Sequence, residues 1–174
     1  MPGGALTEIF RALDDAEVRY LVVGGVAVVL HGYPRFTADL DLVLELTASN
    51  ASAGIAALQT LGYRPRAPVR AEDFADEDIR ASWRKEKGLT VFSLWSPSYP
   101  ATEVDLFVEE PFDFGEAWSG RLDAVLDDAT TVHVVGIDDL RALKARVGRP
   151  KDVDDIAQLD AIARATIDDD EDGE

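Results

Sequence analysis

Gly24 and Gly25 follow the apolar run Tyr20-Leu21-Val22-Val23, and Asp39 and Asp41 flank a single leucine a short way downstream. On a strand, Asp39 and Asp41 project from one face about 6.6 Å apart along the chain, close enough to share a divalent cation. Two carboxylates at that spacing repel one another, and each raises the other's pKa unless a cation intervenes. A two-metal site for phosphoryl transfer needs a third acid on a neighbouring strand. Asp105, a lone acid between Val104 and Leu106, is the candidate, with Glu103 on its face. The competing reading makes Asp105 an edge-strand acid facing water. A glycine turn lets backbone N–H groups approach an anion closely, which suits Gly24-Gly25, although Gly-Gly after a strand also serves as a plain tight turn. No Gly-Lys-Ser/Thr follows, so a Walker-type loop is rejected, and the third glycine of a dinucleotide fingerprint is missing.

Several elements must position these groups. Leu6, Ile9, Phe10 and Leu13 predict an amphipathic helix over 6–16, followed by a buried strand at 20–23 and a short helix at 26–30. Leu40, Leu42 and Leu44 alternate with the acids as a strand, and Ser49 or Asn50 would cap a helix through Leu61. Residues 64–88 predict a loop with a short helix. Strands at 89–95 and 102–108 would form an antiparallel pair around Ser96-Pro97-Ser98-Tyr99-Pro100. Phe112, Phe114 and Trp118 suggest a helix from Pro111 to Leu126, then a strand at 131–135 and helices at 137–147 and 151–164.

The 174 residues, 47% hydrophobic and 29% charged, suit one globular core. With no cysteine and only His31 and His133, a bound metal must use mainly oxygen ligands, which favours Mg²⁺ or Mn²⁺. His31 reads as a rim or structural residue and His133 as an ordinary strand residue. The net charge of −17 excludes a general polyanion binder. Positive charge is clustered at Arg64, Arg66 and Arg70, at Arg80, Arg84, Lys85 and Lys87, and from Arg141 to Lys151. Any nucleic-acid contact must therefore be local. Neither a secretory leader nor an apolar run of membrane-spanning length is visible, so a cytoplasmic, non-membrane protein is expected.

Gly24-Gly25-Val26-Ala27 with Arg35-Phe36-Thr37-Ala38-Asp39-Leu40-Asp41-Leu42 resembles the signature of DNA polymerase beta-like nucleotidyltransferases, in particular the small prokaryotic branch related to abortive-infection nucleotidyltransferase toxins. Glu103-Val104-Asp105-Leu106 is similar to that family's third-acid segment. Asp139 to Lys144 and Gly148 to Ile156 are similar to its closing motif. The resemblance covers about residues 6–163 and implies an α/β (α+β) fold, a mixed, largely antiparallel sheet flanked by helices with C-terminal helices. The domain would span 1–167, and the acidic run 168–174 would be a disordered tail.

The resemblance also implies roles. Gly24 and Gly25 would hold the triphosphate of an NTP such as ATP, and Lys144 would contact phosphate. Asp39, Asp41 and Asp105 would be the catalytic, metal-binding acids. The acceptor would be a hydroxyl of RNA, tRNA or protein, and a toxin role would bring an antitoxin partner. A catalytically weak module binding nucleotide or partner is the alternative. From the residues themselves, Arg35 can pair with phosphate or with Asp39. Lys144 can equally be the polar edge of its helix, and Asp152 and Asp155 can be surface residues, with Lys151 pairing to Asp155.

Overall fold

A computed structural model describes residues 3–171. Helix α1 (Gly3–Asp15) leads into β1 (Tyr20–Val23), α2 (Gly24–Leu30), β2 (Asp39–Leu44) and α3 (Ala48–Thr60). A two-residue strand β3 (Arg64–Pro65), a 3₁₀ turn (Ala71–Ala75), α4 (Glu77–Lys87), β4 (Val91–Trp95) and β5 (Glu103–Phe107) follow. The chain closes with α5 (Phe114–Ser119), β6 (Leu122–Asp127), β7 (Thr130–Val134), α6 (Ile137–Val147) and α7 (Pro150–Glu171). Among the described residues, no helix is long and apolar enough to cross a membrane.

The strands form one seven-stranded mixed sheet in the order β3-β4-β5-β2-β1-β7-β6. Most neighbours are antiparallel, but β2–β5 and β1–β7 run parallel. Parallel pairing requires long crossovers, and the chain between β2 and β5 supplies one that carries α3 and α4. Leu40, Leu42, Val104, Leu106, Phe92 and Leu94 share one buried face. Phe74 of the 3₁₀ turn and Trp83 of α4 stack on Phe92 at centroid distances of 5.4 and 5.1 Å, and Gly54 lets α3 settle against Leu44. The opposite face carries Asp39, Asp41, Glu103 and Asp105. There α2 packs on β1 and β2, and α6 packs on α2 and α7.

Several expectations are corrected. The predicted helix at 111–126 is helical only over Phe114–Ser119, ending at Gly120. Leu122–Asp127 is a strand that forms a hairpin with β7. Phe114 and Trp118, four apart, do share the helix while Phe112 precedes it, and Asp128-Ala129 is a hairpin turn that the aromatic cluster masks. Thr47, not Ser49 or Asn50, caps α3, its hydroxyl accepting from the Asn50 N–H at 3.2 Å. Asn50 instead ties Arg19 to Glu45 through their backbones. The segment 64–88 holds a full helix: Asp76 caps α4, whose first turn is acidic and last turn basic, in line with the helix dipole. Helix α7 runs to Glu171, well past Arg164, so 168–171 are helical where a disordered tail was expected, while 172–174 lie outside the described residues.

Candidate active site

Strand β2 pairs in parallel with β5 so that Asp41 stands beside Asp105 and Asp39 beside Glu103. The acids are thus brought onto one face by register, as the period-2 alternation requires. Asp39, Asp41 and Asp105 line one cleft together with Gly25, Arg35, Phe36, Thr37, Lys144, Arg149 and Lys151. Asp41 is pushed up to about 7, mainly by burial and then by the charges of Asp105 and Asp39, against the pull of Arg149 and Lys144. Burial also raises Asp105, opposed by a 2.5 Å hydrogen bond donated by the Ser93 hydroxyl and reinforced by the charges of Asp39 and Glu103. Among the described residues, no three acidic or histidine side chains stand as a ready-made metal cage. Mutual repulsion and the Ser93 bond hold these carboxylates apart, yet they supply hard oxygen donors whose crowding a cation would relieve. That donor set fits Mg²⁺ or Mn²⁺.

The glycines serve this arrangement directly. Gly24 has φ +67°, and a Cβ there would stand 2.8 Å from Asp41 Cγ. A Cβ at Gly25 would stand 2.7 Å from Thr37 Oγ1 and 2.8 Å from an Arg35 guanidinium nitrogen. The turn is therefore glycine-rich because the acid and the arginine press against it. Gly24→Ala is expected to destabilise the protein by about 2–3 kcal/mol, from the left-handed backbone and the displaced carboxylate. A urea midpoint lowered in Gly24→Ala, beside the exposed helical control Gly4→Ala whose midpoint should stay or rise, checks this.

The cations are arranged by α6 and α7. Gly148 ends α6 in the left-handed conformation at φ +68°, and Pro150 opens α7. Asp152 reaches back to accept the Arg149 N–H at 3.1 Å and its Nε–H at 2.8 Å. Lys144 donates to Asp155 at 2.8 Å and to Asp152 at 3.3 Å, all three being 5% exposed or less. Burial alone would raise the Asp152 carboxyl, but the bonds from Arg149 and Lys144 outweigh it and hold it below its ordinary range. Arg35 completes the group, its Nε 3.2 Å from Asp155.

Two expectations change accordingly. Asp152 and Asp155 face inward rather than to the surface, and Asp155 pairs with Lys144 and Arg35 where Lys151 was one expected partner. Arg35 turns to Asp155 rather than to Asp39. Lys144 touches the cleft, but its ammonium is engaged by two carboxylates. At the rim, His31 Nε2 donates to the Val135 carbonyl oxygen at 2.8 Å, and His133 on β7 pairs with Asp123.

Sequence reasoning missed three contributors to the cleft. Arg149, with a 55% exposed side chain, is close enough to Asp41 to lower its pKa. Lys151 is exposed and has no ion pair among the described residues. Phe36 is 81% exposed at the mouth. All three lie inside segments already singled out, Arg35 to Leu42 and Gly148 to Ile156, but none was assigned to the cleft.

No curated protein matches the sequence. Among solved structures, a putative nucleotidyltransferase from Thermotoga maritima superposes with a TM-score of 0.53 at 13% identity, covering 88% of this chain and 89% of that one. The lincosamide antibiotic adenylyltransferase LnuA, solved with lincomycin, gives 0.58 at 18% identity over 89% and 96% of the two chains. The antibiotic-resistance factor ANT(2'')-Ia gives 0.54 at 15% identity over 97% and 94%. These likenesses show the fold. A model of nucleotidyltransferases of unknown function (DUF6036) matches residues 5–169, and the chain belongs to that family.

Proposed function

We propose that this protein transfers a nucleoside monophosphate from an NTP to an acceptor hydroxyl, in a reaction that depends on Mg²⁺ or Mn²⁺. The single observation that carries the proposal is the register that sets Asp41 beside Asp105, with Asp39 on the same face, opposite a wall of cations. Asp39, Asp41 and Asp105 would hold the metal, which would neutralise phosphate charge and activate the attacking oxygen. The acceptor oxygen forms a bond to the α-phosphorus as the bond to the bridging oxygen breaks, and pyrophosphate leaves. Asp105, beside Asp41 in the register, is placed to take the hydroxyl proton.

Lys151 presents free positive charge to the triphosphate, and Arg149, held in place by Asp152, adds its own alongside the Gly24-Gly25 turn. Arg35 and Lys144 set the cleft wall through Asp155. Phe36 offers a face for the base. The acceptor hydroxyl belongs to RNA, tRNA or protein, and the resemblance to abortive-infection toxins adds a growth-arresting role with an antitoxin partner. Expression that slows growth, and is relieved by a neighbouring gene product, tests that role.

Incubating the protein with each labelled NTP, Mg²⁺ or Mn²⁺, and total tRNA or cell extract should yield a labelled product. If no product forms and calorimetry detects no NTP binding, the enzyme reading is wrong. NTP binding without transfer favours the weakly catalytic binding module instead.

Metal dependence has a readout apart from activity. Asp41 has a folded pKa of about 7, above its unfolded value of about 3.9, so the native state holds the extra proton. Stability of the metal-free protein should therefore fall as pH rises from about 4 to about 7, and stay low above that. Asp41→Asn should flatten this dependence and, at pH 8, stabilise the metal-free protein by on the order of 2 kcal/mol. Mg²⁺ should raise the melting temperature of the wild type and leave that of Asp41→Asn almost unchanged. Equal shifts in both would remove Asp41 from the metal site.

A further inference from the structure

The acid-bearing face of the sheet continues outward past the catalytic carboxylates. Arg64 pairs with Trp95 across β3–β4, and Leu94 pairs with Val104 across β4–β5, so Trp95 stands opposite Glu103. Glu103 in turn pairs with Asp39. One row of side chains thus runs Arg64, Trp95, Glu103, Asp39 across four strands, beside the row Ser93, Asp105, Asp41. At about 4.8 Å per strand, Trp95 lies roughly 10 Å from Asp39.

This outer half is not capped as the inner half is. Val91, Ser93 and Trp95 are partly exposed, whereas α4 and the 3₁₀ turn cover the other face at Phe92. The guanidinium carbons of Arg64 and Arg66 stand 4.4 and 5.1 Å from the Trp95 ring centroid. Arg66 is also paired with Glu103, which cancels the charge of the one acid in the row next to Trp95. Arg64 is exposed and has no ion pair among the described residues. An indole overlaid by a guanidinium is a stacking plane for a flat ring, and the free donors of Arg64 suit an adjacent anion.

We infer that Trp95 and Arg64, braced by Arg66, form the acceptor subsite, and that the acceptor is nucleotide-like: a planar base stacked at Trp95, with its phosphate on Arg64 and its hydroxyl directed to Asp105. This rests on the transfer reaction proposed above. Charge sets the polarity. Phosphate is repelled by Asp39, Asp41 and Asp105, so the anion must lie on the outer, arginine side, and only the uncharged hydroxyl end can reach the acids. A cationic sugar would meet the unpaired guanidinium of Arg64, and a protein hydroxyl has no use for a stacking plane. Because the rest of the chain is strongly acidic, only a terminal nucleotide binds, and affinity does not grow with strand length beyond a few units.

The test uses a fluorescently labelled single-stranded RNA pentanucleotide, the corresponding 15-mer and a nucleoside monophosphate, with NTP binding measured in parallel by calorimetry. Oligonucleotide should quench wild-type tryptophan emission. Trp95→Phe should abolish most of that quenching while keeping most of the affinity. Trp95→Ala should weaken binding about tenfold, in keeping with the loss of one stacked base. Arg64→Ala should lower the salt slope by about 0.7. All three should retain wild-type NTP binding.

The pentanucleotide and the 15-mer should bind alike. Monophosphate binding equal to theirs identifies a free nucleotide as the source, and binding by the oligomers alone identifies a strand end. Unchanged oligonucleotide affinity in Trp95→Ala, or binding of a cationic aminocyclitol quenched through Trp95 in its place, overturns the inference. Failure of the wild type to bind any nucleotide acceptor also overturns it while leaving the transfer reading intact, whereas loss of NTP binding in the wild type overturns the transfer reading itself.

Discussion

Asp41→Asn and Asp105→Asn are each expected to reduce nucleotide transfer on the order of 10³-fold or more, and to do so without unfolding the protein. A single preorganised electrostatic group is commonly worth about 10²–10³ in rate, and under the proposed reaction the lost group would be an anionic metal ligand. Asparagine keeps the shape and one oxygen but removes the charge. At Asp41 it also relieves repulsion from Asp105 and Asp39, so stability should rise as activity vanishes. At Asp105 the Ser93 hydroxyl retains an acceptor. The measurement is single-turnover transfer from labelled NTP, set beside a denaturation curve for each variant. Transfer within tenfold of wild type in either variant would move the chemistry away from the β2–β5 pair.

Lys144→Met should cost about 3 kcal/mol, the lower end of what removing one partner of a buried ion pair costs. Methionine fills most of the volume, so the loss is electrostatic: Asp152 keeps Arg149, and Asp155 keeps Arg35, but both carboxylates lose their shared buried cation. Adding Asp155→Asn should recover part of the loss, because the stranded charge is then removed. In a double-mutant cycle on urea midpoints, this coupling should exceed 1 kcal/mol, within the range expected for residues in one network. Simple additivity would show that the cluster is less tightly joined than its geometry implies. If Lys144 acts by holding α7 against the cleft, its loss should raise the KM for NTP more than it lowers kcat.

The contrast between these sites shows what a linear reading can reach. Asp39 and Asp41 were legible because strand alternation is local and their leucine neighbours declare the buried face. Asp105 was legible as an acid out of place in an apolar strand. That β5 inserts between β4 and β2, in parallel with β2, was not, because register between strands more than fifty residues apart depends on tertiary packing. The β6–β7 hairpin was hidden behind the aromatics Phe112, Phe114 and Trp118, which drew the helix too far. Lys144 looked like a helix-edge or phosphate residue because its partners, eight and eleven positions ahead, lie across a helix break. Arg149 was counted among basic residues but not given a place, since its approach to Asp41 exists only once α7 folds back.

Pairing Asp41 with Asp105 closes a chain segment that contains two helices, a short edge strand and β4. The entropy of closing so long a loop falls on the same step that brings like charges together, so entropy and charge both oppose this juncture. The β2–β5 pairing is therefore expected to form late in folding, and pulse-labelled hydrogen exchange showing its amides protected before those of the hairpins would refute this. The β4–β5 and β6–β7 hairpins, which need only short loops, are the natural early structure. Protons or divalent cations, by quieting the acids, ease the passage of the central strands into place.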